Sequence, residues 1–162
     1  MEKQKAYIAL GANLGDTEQT LNQALKLLNQ AAGIKVIKSA DFITTEPVGG
    51  PADQPVYTNS AAELEISLTP EKLLRELNRI EALLGRDREN ETRFGSRTCD
   101  LDILLIGDLK MQTEDLTIPH PRMNERLFVL EPLAQIAPNI IEPISNQTIS
   151  QLKSNLETQN AS

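Results

Sequence analysis

Stretches with a helical period alternate along this chain with stretches that have a strand period. Their order limits the folds open to it. A strand over about Lys5–Leu10 runs into Gly11-Ala12-Asn13-Leu14-Gly15. A helix follows over about Thr17–Ala32, with Asp16 placed to cap it, Gln19 three residues on, and Leu21, Leu25 and Leu28 on one face. Gly33 is a stop signal. A β-rich stretch, Ile34–Thr45, leads to Glu46–Pro55, where three prolines and two adjacent glycines exclude regular structure. Val56–Ile66 alternates as a strand, with Glu63 and Glu65 on its polar side. Thr69-Pro70 opens a second helix lined by Leu73, Leu77, Ile80 and Leu84, closed by Gly85. After a charged loop over Arg86–Gly95, Cys99–Ile106 is a strand, Leu116–Ile118 a short one, and helices are expected over about Asn124–Gln135 and Ser150–Leu156. The order β-α-β-β-α-β predicts an α+β, ferredoxin-like sandwich whose mostly antiparallel sheet is covered by helices. That plan hosts many activities and does not name one.

At 162 residues the chain has room for one domain, residues 1–162, with the polar tail 157–162 expected to fray. No apolar run approaches the roughly 20 residues that span a bilayer, and the N-terminus does not read as a signal peptide. A cytoplasmic protein without a membrane partner is expected. Cys99 is the single cysteine, which rules out an internal disulfide framework and a cysteine-built zinc site. A net charge of −7 and only five aromatic residues disfavour nucleic acid as a partner. The arginines are unevenly placed: none of the eight precedes Arg75, and six lie between Arg86 and Arg126. Arginine suits forked contacts to phosphate.

The chemistry concentrates in Arg93-Phe94-Gly95-Ser96-Arg97-Thr98-Cys99-Asp100-Leu101-Asp102-Ile103-Leu104. On a strand, Asp100 and Asp102 leave the same face with Cα atoms roughly 6.5 Å apart. Two like charges so close call for a cation between them. Mg²⁺ fits, since it takes one or two carboxylates, keeps waters and binds substrate phosphates. A bare D-x-D also suits a solvated strand edge, but Arg93 and Arg97 lead straight into the pair, where phosphate ligands would stand. The Gly11–Gly15 turn lacks the Gly-Lys-Ser/Thr ending of a Walker phosphate loop.

From Arg93 to Leu104 the chain resembles the signature of the 6-hydroxymethyl-7,8-dihydropterin pyrophosphokinase family. Tyr7–Gly15, Asp53–Asn59, Arg79-Ile80-Glu81, Gly85-Arg86-Asp87-Arg88 and Ile118–Met123 resemble its other motifs, in order, so the likeness spans about Ala6–Pro138. The resemblance implies transfer of pyrophosphate from ATP to 6-hydroxymethyl-7,8-dihydropterin, giving AMP and the pterin pyrophosphate in tetrahydrofolate biosynthesis, by a monomer using two Mg²⁺ ions. It places Asp100 and Asp102 at the metal. Arg86, Arg88 and Arg97 would meet ATP phosphates, with Arg86 and Arg97 counted among the catalytic groups. It puts His120 and Arg126 on the nucleotide side. Asn78 and Glu81 also fall at ATP-side positions, and Ile103 and Thr117 fall where backbone groups hold the adenine. Tyr57 and Phe128 would sandwich the pterin, Asn59 would read its ring edge, and Thr45 and Val48 would bind it through backbone groups. Phe94 stands where some members carry Trp, Ser96 where Pro is frequent, and Asp115 where an adenine-side Arg can occur. By pattern alone, Tyr57 and Phe128 also suit core packing and His120 a turn. A ferredoxin-like binding module and a generic Mg²⁺-dependent phosphohydrolase are the rival readings.

Overall fold

The computed structural model describes residues 2–45, 57–85 and 99–161. Among these, β1 (Gln4–Ala12), α1 (Thr17–Gln30), β2 (Ile34–Ser39), β3 (Ile43–Thr45), β4 (Tyr57–Ile66), α2 (Pro70–Leu83) and β5 (Asp100–Ile106) form the body of the domain. They are followed by β6 (Met111–Gln112), β7 (Thr117–Ile118), a 3₁₀ turn (Met123–Glu125), α3 (Leu127–Ile136), β8 (Ile141–Glu142), β9 (Gln147–Thr148) and α4 (Ile149–Ala161). The expected loops at Glu46–Pro55 and Arg86–Gly95, and with them Val48, Arg86, Arg88 and Arg97, lie outside the described residues.

The helices start where their caps require. The Asp16 carboxylate accepts the Gln19 N–H at 3.1 Å, and the Thr69 hydroxyl accepts the Lys72 N–H at 3.2 Å. Gly33 ends the first βα unit with φ +81°, where a Cβ would also lie 2.7 Å from the Leu68 side chain. Both torsion and space therefore require glycine there.

The main sheet runs β2-β4-β1-β5, with β3 also pairing with β4. All of these pairs are antiparallel. β4 inserts between β1 and β2, the split arrangement of the ferredoxin-like plan. Ala6, Ile8 and Leu10 of β1 and Ala62, Leu64 and Ile66 of β4 face Leu21, Ala24 and Leu28 of α1 and Leu73, Leu77 and Ile80 of α2. On the opposite face Tyr7, Ala61, Leu104 and Leu105 pack against Val129, Leu130 and Leu133 of α3 and Ile149 and Leu152 of α4. The sheet is thus the middle of three layers. Burying each leucine or isoleucine contributes about 1.5–3 kcal/mol.

The second helical layer explains where the expectations missed. Glu63 of β4 is only 4% exposed, on the sheet face that α3 and α4 cover. The predicted helix over 124–135 divides because Arg126 is extended, at φ −122° and ψ 102°. That break lets Met123 and Val129 both be buried. α4 runs from Ile149 to Ala161. Its last turns are tied by a Lys153–Glu157 ion pair at 3.6 Å and a hydrogen bond from the Thr158 hydroxyl to the Ser154 carbonyl.

One irregularity lies in the β1–β5 ladder. Ile8 stands opposite Ile103 but Tyr7 stands opposite Leu105, so Leu104 is an extra residue in β5. The Leu104 carbonyl accepts the His120 N–H at 2.9 Å, which docks the segment after β7 against this strand.

Candidate active site

Three adjacent strands bring the polar groups together. Gly11 of β1 is paired with Asn59 of β4 on one side and Asp100 of β5 on the other. In the next row on the same face, Ala9 lies between Ala61 and Asp102. The middle strand therefore offers only a hydrogen and a methyl group, and a trough separates Asn59 from the two aspartates. With strands about 4.8 Å apart, the outer backbones of this trough are about 10 Å apart. Asp100 and Asp102 are half-buried while Leu101 and Ile103 enter the core, the sidedness expected from the D-x-D spacing.

The trough opens into a cavity of about 480 Å³. From the sheet it is lined by Tyr57, Asn59, Asp100 and Asp102, and from β3 by Thr45. From the helical layer come Arg122, Glu125, Arg126 and Phe128. Asn59 is held from β3: its amide N–H donates to the Thr45 hydroxyl at 2.9 Å. The Arg126 guanidinium lies 5.7 Å from the centre of the Phe128 ring, within cation–π range. The Arg122–Glu125 pair at 3.6 Å is exposed, and such pairs contribute little to stability.

His120 sits behind these charges, half-buried, its Nδ1 accepting the Arg122 N–H at 3.2 Å. Burial first, then the positive charges of Arg126 and Arg122, hold its pKa below the ordinary value, while Asp100 pulls the other way. The histidine, an aspartate and two arginines thus share one electrostatic neighbourhood.

The other expected ATP-side residues lie elsewhere. Glu81 is 1% exposed, and its carboxylate accepts the Leu101 N–H at 2.8 Å. It grips the backbone of β5 between the two aspartates and does not line the cavity. Asn78 is exposed one turn earlier on α2, Ile103 is in the core, and Thr117 is half-buried on β7. Thr45, Tyr57, Asn59, Asp100, Asp102, Arg126 and Phe128 are brought together. Arg122, Glu125 and the trough-forming Gly11 were not singled out as site residues from sequence. Arg122 had a signal, since it stands inside the Ile118–Met123 motif.

Beyond Ala9 the same face carries a buried polar pair. The Tyr7 hydroxyl donates to the Glu63 carboxylate at 2.8 Å, with the Lys5 ammonium 3.9 Å from the other oxygen. Burial, reinforced by Glu63, pushes the Tyr7 pKa well up.

Residues 7–138 match the family described as 7,8-dihydro-6-hydroxymethylpterin-pyrophosphokinase (HPPK). The chain is 50% identical over 135 residues to the 2-amino-4-hydroxy-6-hydroxymethyldihydropteridine pyrophosphokinase of Bacillus subtilis strain 168, covering 83% of this chain and 79% of that one. It is 46% identical over 147 residues to the protein of the same name from Haemophilus influenzae, covering 91% and 89% respectively. A crystal structure of Plasmodium falciparum HPPK-DHPS with pteroate shares the fold, with a TM-score of 0.77 over 98% of this chain at 13% identity. This chain spans 43% of that longer one.

Proposed function

This chain belongs to the 7,8-dihydro-6-hydroxymethylpterin-pyrophosphokinase family, and from that premise we propose how its residues carry the reaction. The enzyme transfers pyrophosphate from ATP to hydroxymethyldihydropterin in folate biosynthesis. The observation that carries our reading of the site is the glycine-floored trough, with an amide on one wall and two carboxylates on the other.

The pterin lies at the Asn59 end. Its flat ring stacks on Tyr57 and Phe128, and the Asn59 amide, oriented by Thr45, reads paired donors and acceptors on the ring edge. The hydroxymethyl group then points toward the aspartates. ATP enters from the Arg122–Arg126 side, where Arg126 and His120 meet its phosphates. Arg86, Arg88 and Arg97 are proposed to join them from the loop, and Val48 to hold the pterin through its backbone, all four on the family resemblance. On the same ground Asn78 remains an ATP-side candidate, and Ile103 and Thr117 remain adenine-side candidates. For Glu81 the bond to the Leu101 N–H supports an indirect role: it fixes the strand that carries both aspartates.

Asp100 and Asp102 fit Mg²⁺: two half-buried carboxylates on one strand face, open to a cavity with room for substrate oxygens and waters. Two ions are expected there; bound, they would neutralise phosphate charge and acidify the pterin hydroxyl. Catalysis by the protein is then chiefly positioning and electrostatic stabilisation. A cytoplasmic monomer completes the reading. Among the described residues no helix is long and apolar enough to cross a membrane.

The test is purified protein with MgATP, with and without 6-hydroxymethyl-7,8-dihydropterin, followed by AMP and phosphate release. Pterin-dependent AMP is expected, whereas pterin-independent phosphate would indicate a phosphohydrolase. Asp102→Ala should abolish turnover at low Mg²⁺, and near-wild-type turnover there would end the metal assignment.

A further inference from the structure

The 3₁₀ turn divides its residues by direction. Met123 is 1% exposed and packs into the second core, while Arg122, Glu125 and Arg126 on either side of it line the cavity. From within, the turn is held by the Arg122 N–H bond to His120 Nδ1, the exposed Arg122–Glu125 pair and three backbone bonds. Arg122 makes no side-chain cap bond at its start, and Arg126 makes none at the start of α3. Its internal bonds, Met123 N–H to His120, Glu125 N–H to Arg122 and Arg126 N–H to Met123, are 3.1–3.3 Å long.

A further side-chain tether comes from the hairpin 18 residues on. Asn124 donates its amide N–H to the Glu142 carboxylate at 3.0 Å. Glu142 is 2% exposed, and its second oxygen accepts the backbone N–H groups of Ile144 and Ser145. Burial alone would raise the pKa of this carboxyl, but these hydrogen bonds outweigh it and bring the value below the ordinary one. A carboxylate held on both oxygens inside a tight hairpin is a rigid post. The hairpin is itself fastened, since the Ile149 N–H donates to the Ile140 carbonyl at 3.0 Å at its base.

We infer that Glu142 and Asn124 are positioning residues for the nucleotide. They clamp the 3₁₀ turn so that Arg122 and Arg126 are presented to the polyphosphate. Neither touches the cavity. The proposal rests on the reading that this turn meets ATP phosphates, so its test must separate that premise from the clamp.

The test is a charge swap read in kinetics. In Asn124→Asp, two carboxylates face each other where one hydrogen bond stood. The KM for MgATP should rise on the order of fivefold or more, with the KM for the pterin little changed. Glu142→Gln alone should change the KM for MgATP little, because its carbonyl oxygen still accepts the hairpin amides and the Asn124 amide can turn over to accept its NH₂ group. The double variant Asn124→Asp/Glu142→Gln restores a donor–acceptor pair in reverse and should recover the wild-type KM, a coupling that a general loss of stability would not produce. Should Asn124→Asp fold poorly, Asn124→Ala removes the donor without adding charge and should give a smaller rise. Arg126→Ala is measured alongside. If it leaves the KM for MgATP unchanged, the phosphate premise has failed and the proposal falls with it. If Arg126→Ala raises that KM while Asn124→Asp or Asn124→Ala only lowers the melting temperature, or if the double variant does not recover, the clamp is merely structural and the proposal is overturned.

Discussion

Replacing Gly11 with alanine should separate folding from substrate binding. Gly11 is ordinary extended backbone in the middle strand, so alanine meets no torsional obstacle. By restricting the unfolded chain it should stabilise by about 0.4–1 kcal/mol, less whatever crowding costs. The crowding is local and directional. A Cβ at position 11 would lie 3.2 Å from the Asn59 side-chain oxygen, and the next nearest atoms are at 3.8 and 3.9 Å. Asn59 is 6% exposed and tied to Thr45 through a 2.9 Å bond, so it can yield only by a few tenths of an ångström, at the expense of its aim. Misdirecting one or two ring-edge hydrogen bonds is worth about 1–2 kcal/mol, or roughly 5- to 30-fold in pterin affinity. Urea denaturation should therefore show stability equal to or slightly above wild type. Steady-state kinetics should show a raised KM for the pterin with the KM for MgATP unchanged. A pterin KM within about twofold of wild type would show that Asn59 does not read the ring. A stability loss above about 2 kcal/mol would show that the trough is part of the core packing.

Three further outcomes follow from buried polar contacts. Tyr7→Phe leaves a buried Glu63 oxygen without its 2.8 Å donor and should cost about 1–3 kcal/mol by denaturant titration. Because the Tyr7 pKa is raised on folding, the unfolded chain releases this proton first; stability should hold up to the ordinary tyrosine value of about 10 and decline above it, less steeply in Tyr7→Phe. Glu81→Ala orphans the Leu101 N–H between the aspartates and should lower both kcat and stability, the latter by about 1–3 kcal/mol, while Glu81→Gln, which keeps an acceptor, should lose less of each. His120 has a lowered pKa, so its contribution to stability should be intact above about 6.5 and decline as pH falls from there toward the folded value; His120→Gln should flatten that acid limb in thermal melts.

The parts of the molecule legible in sequence are those with a local cause. Asp16 and Thr69 cap helices through residues three positions on, and Asp100 and Asp102 share a face because strands alternate. The β-α-β-β-α-β order also carries the sheet topology, since pairing follows from the split arrangement. What escaped depends on distant partners. The burial of Glu63 depends on the helical layer that covers its face of the sheet. β6, β8 and β9 are two residues each, too short to leave a period. The Asn124–Glu142 bond joins residues 18 apart, and no spacing rule announces it. In the site, Tyr57 and Phe128 were visible only through family likeness, because an aromatic lining a cavity and one filling a core have the same pattern. In sequence Gly11 marks the entry to a turn, and its role as the floor of the trough depends on which strands lie beside it.

The extra residue at Leu104 bears on where this chain can change length. A bulge resets alternation, so the half of β5 that carries the aspartates and the half that carries Leu105 and Ile106 keep their sidedness independently. Lengthening the Gly107–Leu116 connection would leave the aspartates pointing as they do. Deleting Leu104 would leave Ile103 opposite Ile8, Leu105 opposite Tyr7 and Ile106 opposite Ala6 in an unbroken ladder, so Ile106 would stay in the α1–α2 core, but the carbonyl that docks His120 would be lost. Across relatives, insertions should therefore collect after the bulge and stop short of it.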